Sequence, residues 1–381
     1  MREKTMSNDG VILVARSSMP SFEEYTEEIK GFWETHWLTN EGAEHQLLEG
    51  QLQSYLGVPN VSLFVNGHSA LEGAIEALGI TGEAITTPFS FASTTHALVR
   101  RGVTPVFCDI RRDDFTMDPE KIESLITPRT TAIVPVHVYG NMCDVEAIQR
   151  IADKHGLKVL YDGAHSFGVT KDGRSSATFG DATMYSFHAT KVFNTIEGGA
   201  VCYRDSSLRP VLHKIRNFGI TGPETVESVG GNAKMNEFCA AMGVCNLRHV
   251  DEEIAKRRKV LARYRENLSG IDGIILSVES GTGTQTGVAT NASYMPVVFD
   301  ESVCGVTRDE VAFALAKRNI YARKYFYPLI SDYACYSGRF DPSKTPVAQW
   351  VAQRVLCLPM FADLDLDSVD MICDIIRSLT K

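Results

Sequence analysis

Between residues 61 and 203, short apolar runs alternate with stretches of helical spacing. Val61–Val65, Ala84–Thr87, Thr104–Cys108, Thr131–Val136, Val159–Tyr161, Ala182–Ser186 and Ala200–Tyr203 are too short for helices and read as strands. The segments between them predict helices over Ala70–Leu78, Ser93–Arg101, Asp118–Ile126 and Asp144–His155. Gly79 stands just past the first of these, where a helix end favours glycine. Upstream, Phe22, Tyr25, Ile29 and Phe32, then Leu47, Leu48, Leu52 and Tyr55, predict helices within 20–57 around a loop at Trp37–Gly42. Downstream, Lys234 to Asn267 reads as one long helical region broken near His249-Val250. Strands at Gly273–Leu276 and Tyr294–Val298 then alternate with helices at 307–318 and 364–379.

Strand–helix alternation of this kind predicts an α/β fold with a mainly parallel sheet covered on both faces. The division expected is a large domain over 1–244, including the N-terminal helices, and a small α+β domain over 245–381. Ligands of such sheets lie beyond the carboxyl ends of the strands. The length of 381 residues fits two domains. A net charge of −9 argues against a nucleic-acid partner but leaves room for a local anion pocket. No apolar stretch approaches the ~18 residues of a membrane span. The first ten residues lack a signal peptide's apolar core, so a cytoplasmic location is expected. The nine cysteines include no C-x-x-C pair, and the histidines show no metal-ligand spacing, so no metal site is expected.

Candidate chemistry concentrates at the predicted strand ends. Asp162 closes one apolar run, in Tyr161-Asp162-Gly163-Ala164-His165. Lys191 lies five residues beyond Ser186, at the end of Ser186-Phe187-His188-Ala189-Thr190-Lys191. Alone, a strand-end Asp is ordinarily a turn former and a loop Lys a solvated surface group. Together, in this order, they suit pyridoxal 5′-phosphate (PLP): the amine forms a Schiff base with the aldehyde, and the acid keeps the pyridine nitrogen protonated. Asn66-Gly67-His68-Ser69, at a strand-to-helix junction, has the makings of a phosphate cup, to which Ser186 can add a hydroxyl. An aromatic of Pro88-Phe89-Ser90-Phe91 can stack on the ring, and His165 can orient the acid or touch the ring. The glycine-rich Gly281–Gly287 segment lacks dinucleotide spacing and a P-loop lysine, and reads as a surface loop.

These segments closely resemble the DegT/StrS family of PLP-dependent nucleotide-sugar aminotransferases, from about Trp37 through Tyr327. Its stations appear in order: Trp37–Asn40, Asn66–Leu71, Thr87–Phe91, Val136–Gly140, Asp162–His165, Ser186–Lys191, Glu197–Gly199 and Gly231–Glu237. The resemblance implies the aspartate-aminotransferase fold (fold type I). It makes Lys191 the Schiff-base lysine and proton shuttle, and Asp162 the partner of the pyridine nitrogen. It puts Phe91 over the ring with His165 beside it, and Gly67, His68, Ser69 and Ser186 at the phosphate. His188 falls in the lysine loop as a further cofactor contact. Asn232 would reach the phosphate across a homodimer interface, making each site shared. The lysine loop and Ala322–Pro328 resemble the branch that aminates dTDP-4-keto-6-deoxyglucose to dTDP-4-amino-4,6-dideoxyglucose with L-glutamate as donor, through pyridoxamine phosphate, for O-antigen and lipopolysaccharide sugars. Lys324 and Tyr325 would then meet the sugar. Gly163 stands where Ala is usual, and Tyr325 replaces a His found in many members. The alternatives are a 3-aminating or UDP/GDP-sugar aminotransferase of the same family, or a non-catalytic sugar sensor.

Overall fold

The computed structural model describes residues 10–380. The N-terminal decapeptide read for a leader lies outside them, Gly10 aside. The central sheet holds seven strands: β1 (Asn60–Phe64), β2 (Glu83–Thr86), β3 (Thr104–Phe107), β4 (Thr130–Ile133), β5 (Lys158–Asp162), β6 (Ala182–Ser186) and β7 (Gly199–Tyr203). Their order is β1-β7-β6-β5-β4-β2-β3, with β7 alone antiparallel to its neighbours. The expected mainly parallel sheet is present, and most of its strand residues are buried because both faces are covered.

The antiparallel direction of β7 has a local consequence. Its first residue, Gly199, sits opposite both Phe64 of β1 and Ser186 of β6. The carboxyl ends of β1 and β6 are therefore level, one strand apart. Helices α1 (Ala43–Leu56), α2 (Gly67–Ala77), α3 (Ala92–Arg100) and α4 (Val145–His155) lie close to their predicted positions.

Helix α5 runs unbroken from Glu237 to Leu268 over 32 residues, so the break expected near His249-Val250 does not occur. Val250 is buried within the helix, packed with Ile254 into the core behind the central sheet. From Val260 onward, Tyr264 and Leu268 pack instead into the core of the C-terminal unit. Residues 244 and 245 are consecutive positions of this one helix. The C-terminal unit is built on an antiparallel sheet of β8 (Ile274–Leu276), β9 (Met295–Phe299) and β10 (Val355–Leu358). Ile12–Leu13, near the start of the chain, pairs with Ile320–Tyr321 in that unit. Among the described residues, no helix is long and apolar enough to cross a membrane.

Candidate active site

Asp162 ends β5 with its backbone tied to the neighbouring strand: its N–H donates to Pro135 at 2.9 Å and its carbonyl accepts from His137 at 3.0 Å. The carboxylate is buried. One oxygen accepts from the Thr94 hydroxyl at 2.7 Å, the other from the Ala164 N–H at 3.1 Å. Thr94 in turn lies 2.9 Å from the Ser90 hydroxyl. Burial pushes the Asp162 carboxyl above its ordinary range, against the pull of Thr94, the Ala164 amide and the charge of Lys191.

Lys191 lies in the loop after β6. Burial lowers its amine to about 8, opposed by Asp162 and Tyr325. The amine lies 3.5 Å from the Tyr294 hydroxyl. His165 is buried, and its Nδ1 accepts the Tyr139 N–H at 3.1 Å, which leaves any ring proton on Nε2. Burial, and then Lys191, hold His165 well below its ordinary range, so the ring is neutral. It stacks parallel to Phe326 at 5.9 Å and lies tilted against Tyr294 at 4.8 Å.

The phosphate-cup segment follows β1. Asn66 caps α2, its side chain accepting the Ser69 N–H at 2.8 Å. Gly67 is the helix's first residue, and a Cβ there would stand 2.7 Å from Ser186 Cβ. A Cβ on Gly199 would stand 2.6 Å from the backbone of Gly67. Three strand ends thus converge with only glycine admitted between them. His68 bonds the Ser93 hydroxyl through Nδ1 at 2.8 Å.

Phe91 precedes α3 and is 61% exposed. His188 is exposed and bonds Thr190 at 3.0 Å. Asn232 is exposed and accepts from Lys234 at 3.0 Å, next to Ala233, whose carbonyl takes the Val65 N–H. Lys324 pairs with Asp309 at 2.7 Å on the C-terminal unit, while the Tyr325 ring reaches the Tyr294 ring at 6.0 Å.

Three groups at the site carried no assignment from sequence. Thr94 meets Asp162 from 68 positions away, Tyr294 meets Lys191 from 103, and Tyr139 meets His165 from 26. Only the Tyr139 position had a local signal, since it lies in the Val136–Gly140 station.

A buried carboxylate at the end of β5 and a lysine amine in the loop after the adjoining β6 share one site. The chain belongs to the DegT/DnrJ/EryC1/StrS aminotransferase family, whose model matches residues 21–377. It is 42% identical over 368 residues to a dTDP-4-amino-4,6-dideoxy-D-glucose transaminase of Shigella dysenteriae, covering 97% of this chain and 99% of that one. It is 32% identical to the spore coat polysaccharide biosynthesis protein SpsC of Bacillus subtilis, covering 94% and 95%. Among solved structures it is similar to DesI in the presence of its TDP-sugar product, at a TM-score of 0.90 and 34% identity, covering 97% and 93%.

Proposed function

We propose that this aminotransferase carries the amino group of L-glutamate to C4 of dTDP-4-keto-6-deoxyglucose, giving dTDP-4-amino-4,6-dideoxyglucose, with PLP as cofactor. The observation that carries the cofactor is the buried Asp162 carboxylate, held by Thr94 and the Ala164 N–H within reach of the Lys191 charge, and membership of the family carries the amino transfer. The likeness to the Shigella transaminase supports the choice of sugar.

The residues fit the cofactor. The glycine-only contact between Gly67, Ser186 and Gly199 leaves backbone amides and hydroxyls at a helix start, a cradle for a dianionic phosphate. His68, Ser69 and Ser186 border it, His188 adds a contact from the lysine loop, and Asn232 reaches it from a second copy of the chain in a homodimer. Phe91 offers an exposed face to a flat ring. Asp162 would meet the ring N–H, and Lys191 is the amine that would hold the aldehyde. Bound there, PLP supplies an electron sink for the bond-breaking at the amino-acid α-carbon.

What the chain does follows from its own groups. Lys191, with an amine near 8, has a substantial neutral fraction at neutral to mildly alkaline pH and can both accept and return a proton. Asp162, once it faces a ring N–H, gains the positive partner that offsets its burial and stays ionised. Neutral His165 packs beside this pair and adds no competing charge. Lys324 and Tyr325 border the space left for the sugar. Glutamate and keto-sugar would use this one site in turn, a ping-pong scheme in which Lys191 would carry the proton in both halves. The reaction belongs in the cytoplasm, and its product would serve O-antigen and lipopolysaccharide sugars.

Colour tests the reading. The PLP-loaded protein should be yellow, bleach on glutamate alone, and regain its colour on adding the keto-sugar. A protein that stays yellow with glutamate is not a glutamate transaminase.

A further inference from the structure

The C-terminal unit contributes a side chain to the reacting lysine. Tyr294 immediately precedes β9 of that unit, and its hydroxyl lies 3.5 Å from the Lys191 amine. The phenol is held there from several sides. Its ring packs against His165 at 4.8 Å, Tyr139 at 5.7 Å and Tyr325 at 6.0 Å. The segment before it is fastened to the loop after Asp162. Asn291 Nδ2 donates to the carbonyls of His165 and Phe167, both at 2.8 Å, and Ser293 Oγ donates to the His165 carbonyl at 2.7 Å. Asn291 is itself buried. These bonds fix both the base of the His165 ring and the strand start that carries Tyr294.

We propose that Tyr294 is a positioning residue for Lys191: its phenol accepts from the lysine ammonium and donates to the neutral amine, holding Nζ beside the reacting carbon through both states. A phenol suits this task because one hydroxyl both donates and accepts. Burial raises its own pKa, so it stays neutral while Lys191 titrates. The arrangement makes proton transfer depend on the seating of the C-terminal unit against the sheet, because Tyr294 comes with β9 of that unit and Lys191 with the loop after β6 of the sheet.

This inference rests on the transaminase reading for its kinetic arm, and its spectrometric arm stands apart from it. The variant is Tyr294→Phe, which keeps the ring and its packing. In the cofactor-free full chain, the pH dependence of Lys191 labelling by an amine reagent is followed by mass spectrometry, beside the wild type. The bond to the ammonium is charge-assisted and stronger than the bond to the neutral amine, so loss of the phenol should lower the labelling midpoint by about half to one pH unit. In the PLP-loaded enzyme, bleaching by glutamate should slow roughly tenfold, one ordinary hydrogen bond's worth, with a much smaller change in the KM for glutamate. A melting temperature near wild type shows that packing is kept. An unmoved midpoint together with an unchanged bleaching rate overturns the proposal. Failure of the wild type to bleach at all would strike the transaminase reading, while the labelling midpoint still decides the role of Tyr294.

Discussion

Lys191 and Asp162 are displaced from their ordinary acidity by the same cause, burial, and in opposite directions. The lysine side has a direct consequence in the cofactor-free protein. Below about pH 8 the amine is protonated and unreactive; above it the amine is neutral. Labelling of Lys191 should therefore rise through about pH 8 and then level off, while surface lysines keep rising toward about 10.4. Lys191 tracking the surface lysines would contradict its desolvation. Stability has a matching sign. Between about 8 and the ordinary lysine range, the folded chain binds fewer protons at this group than the unfolded chain, so this group's contribution to stability rises with pH across that window. Substitution separates the two roles. Lys191→Ala should abolish turnover with the melting curve kept. Asp162→Asn should retain PLP yet lose about two to three orders of magnitude in rate, the scale of removing one preorganised electrostatic partner. A near-normal rate in Asp162→Asn, measured on PLP-saturated enzyme, would remove the acid from the mechanism.

At the scale of elements, the site depends on the antiparallel entry of β7, which brings Gly199 level with the ends of β1 and β6. The tight contact behind the cradle follows from that register. Gly67→Ala drives a Cβ to 2.7 Å from Ser186 Cβ. It should cost about 1–3 kcal/mol of stability by overpacking and weaken PLP binding more than it slows a saturated enzyme. Equilibrium dialysis of PLP and a thermal melt read both, and wild-type PLP affinity would show that the contact does not shape the cradle. Much of this layer was legible in the chain. Every strand of the central sheet lies within a few residues of its predicted place, Asp162 closes one of them, and Lys191 follows another in the polar loop past Ser186. Two features were not. Helix Pro346–Arg354 passes into β10 at Val355 with no turn residue between, so one amphipathic pattern merges into the next. The pattern of helix α5 suggests a break near His249-Val250, although its buried face continues through Val250 and Ile254 and its polar face merely adds a histidine. Thr94 and Tyr294 escaped for another reason. Their roles exist only through partners far along the chain, and local pattern carries no trace of such a pairing.

At the scale of the whole molecule, the account requires two copies of the chain. Asn232 is exposed in the single chain, and its proposed role is to complete the phosphate cradle of a partner. Subunit mixing tests this. A Lys191→Ala chain and an Asn232→Ala chain, each impaired alone, should regain up to roughly a quarter of wild-type activity when unfolded and refolded together. One site of each mixed dimer then carries both substitutions and the other carries neither. No recovery in demonstrably mixed dimers would place Asn232 outside the partner's site. The division of the molecule also matters for dynamics. Helix α5 spans both cores, and Asn291 and Ser293 bond the loop after Asp162, so the C-terminal unit is tied to the sheet side at separate points of the chain. The central claim is that this assembly aminates C4 of a dTDP-linked keto-sugar. The most direct measurement incubates the PLP-loaded protein with L-glutamate and dTDP-4-keto-6-deoxyglucose and identifies the nucleotide-sugar product by NMR. The account predicts dTDP-4-amino-4,6-dideoxyglucose; an amine at C3, or no amino sugar while glutamate still bleaches the cofactor, would contradict it.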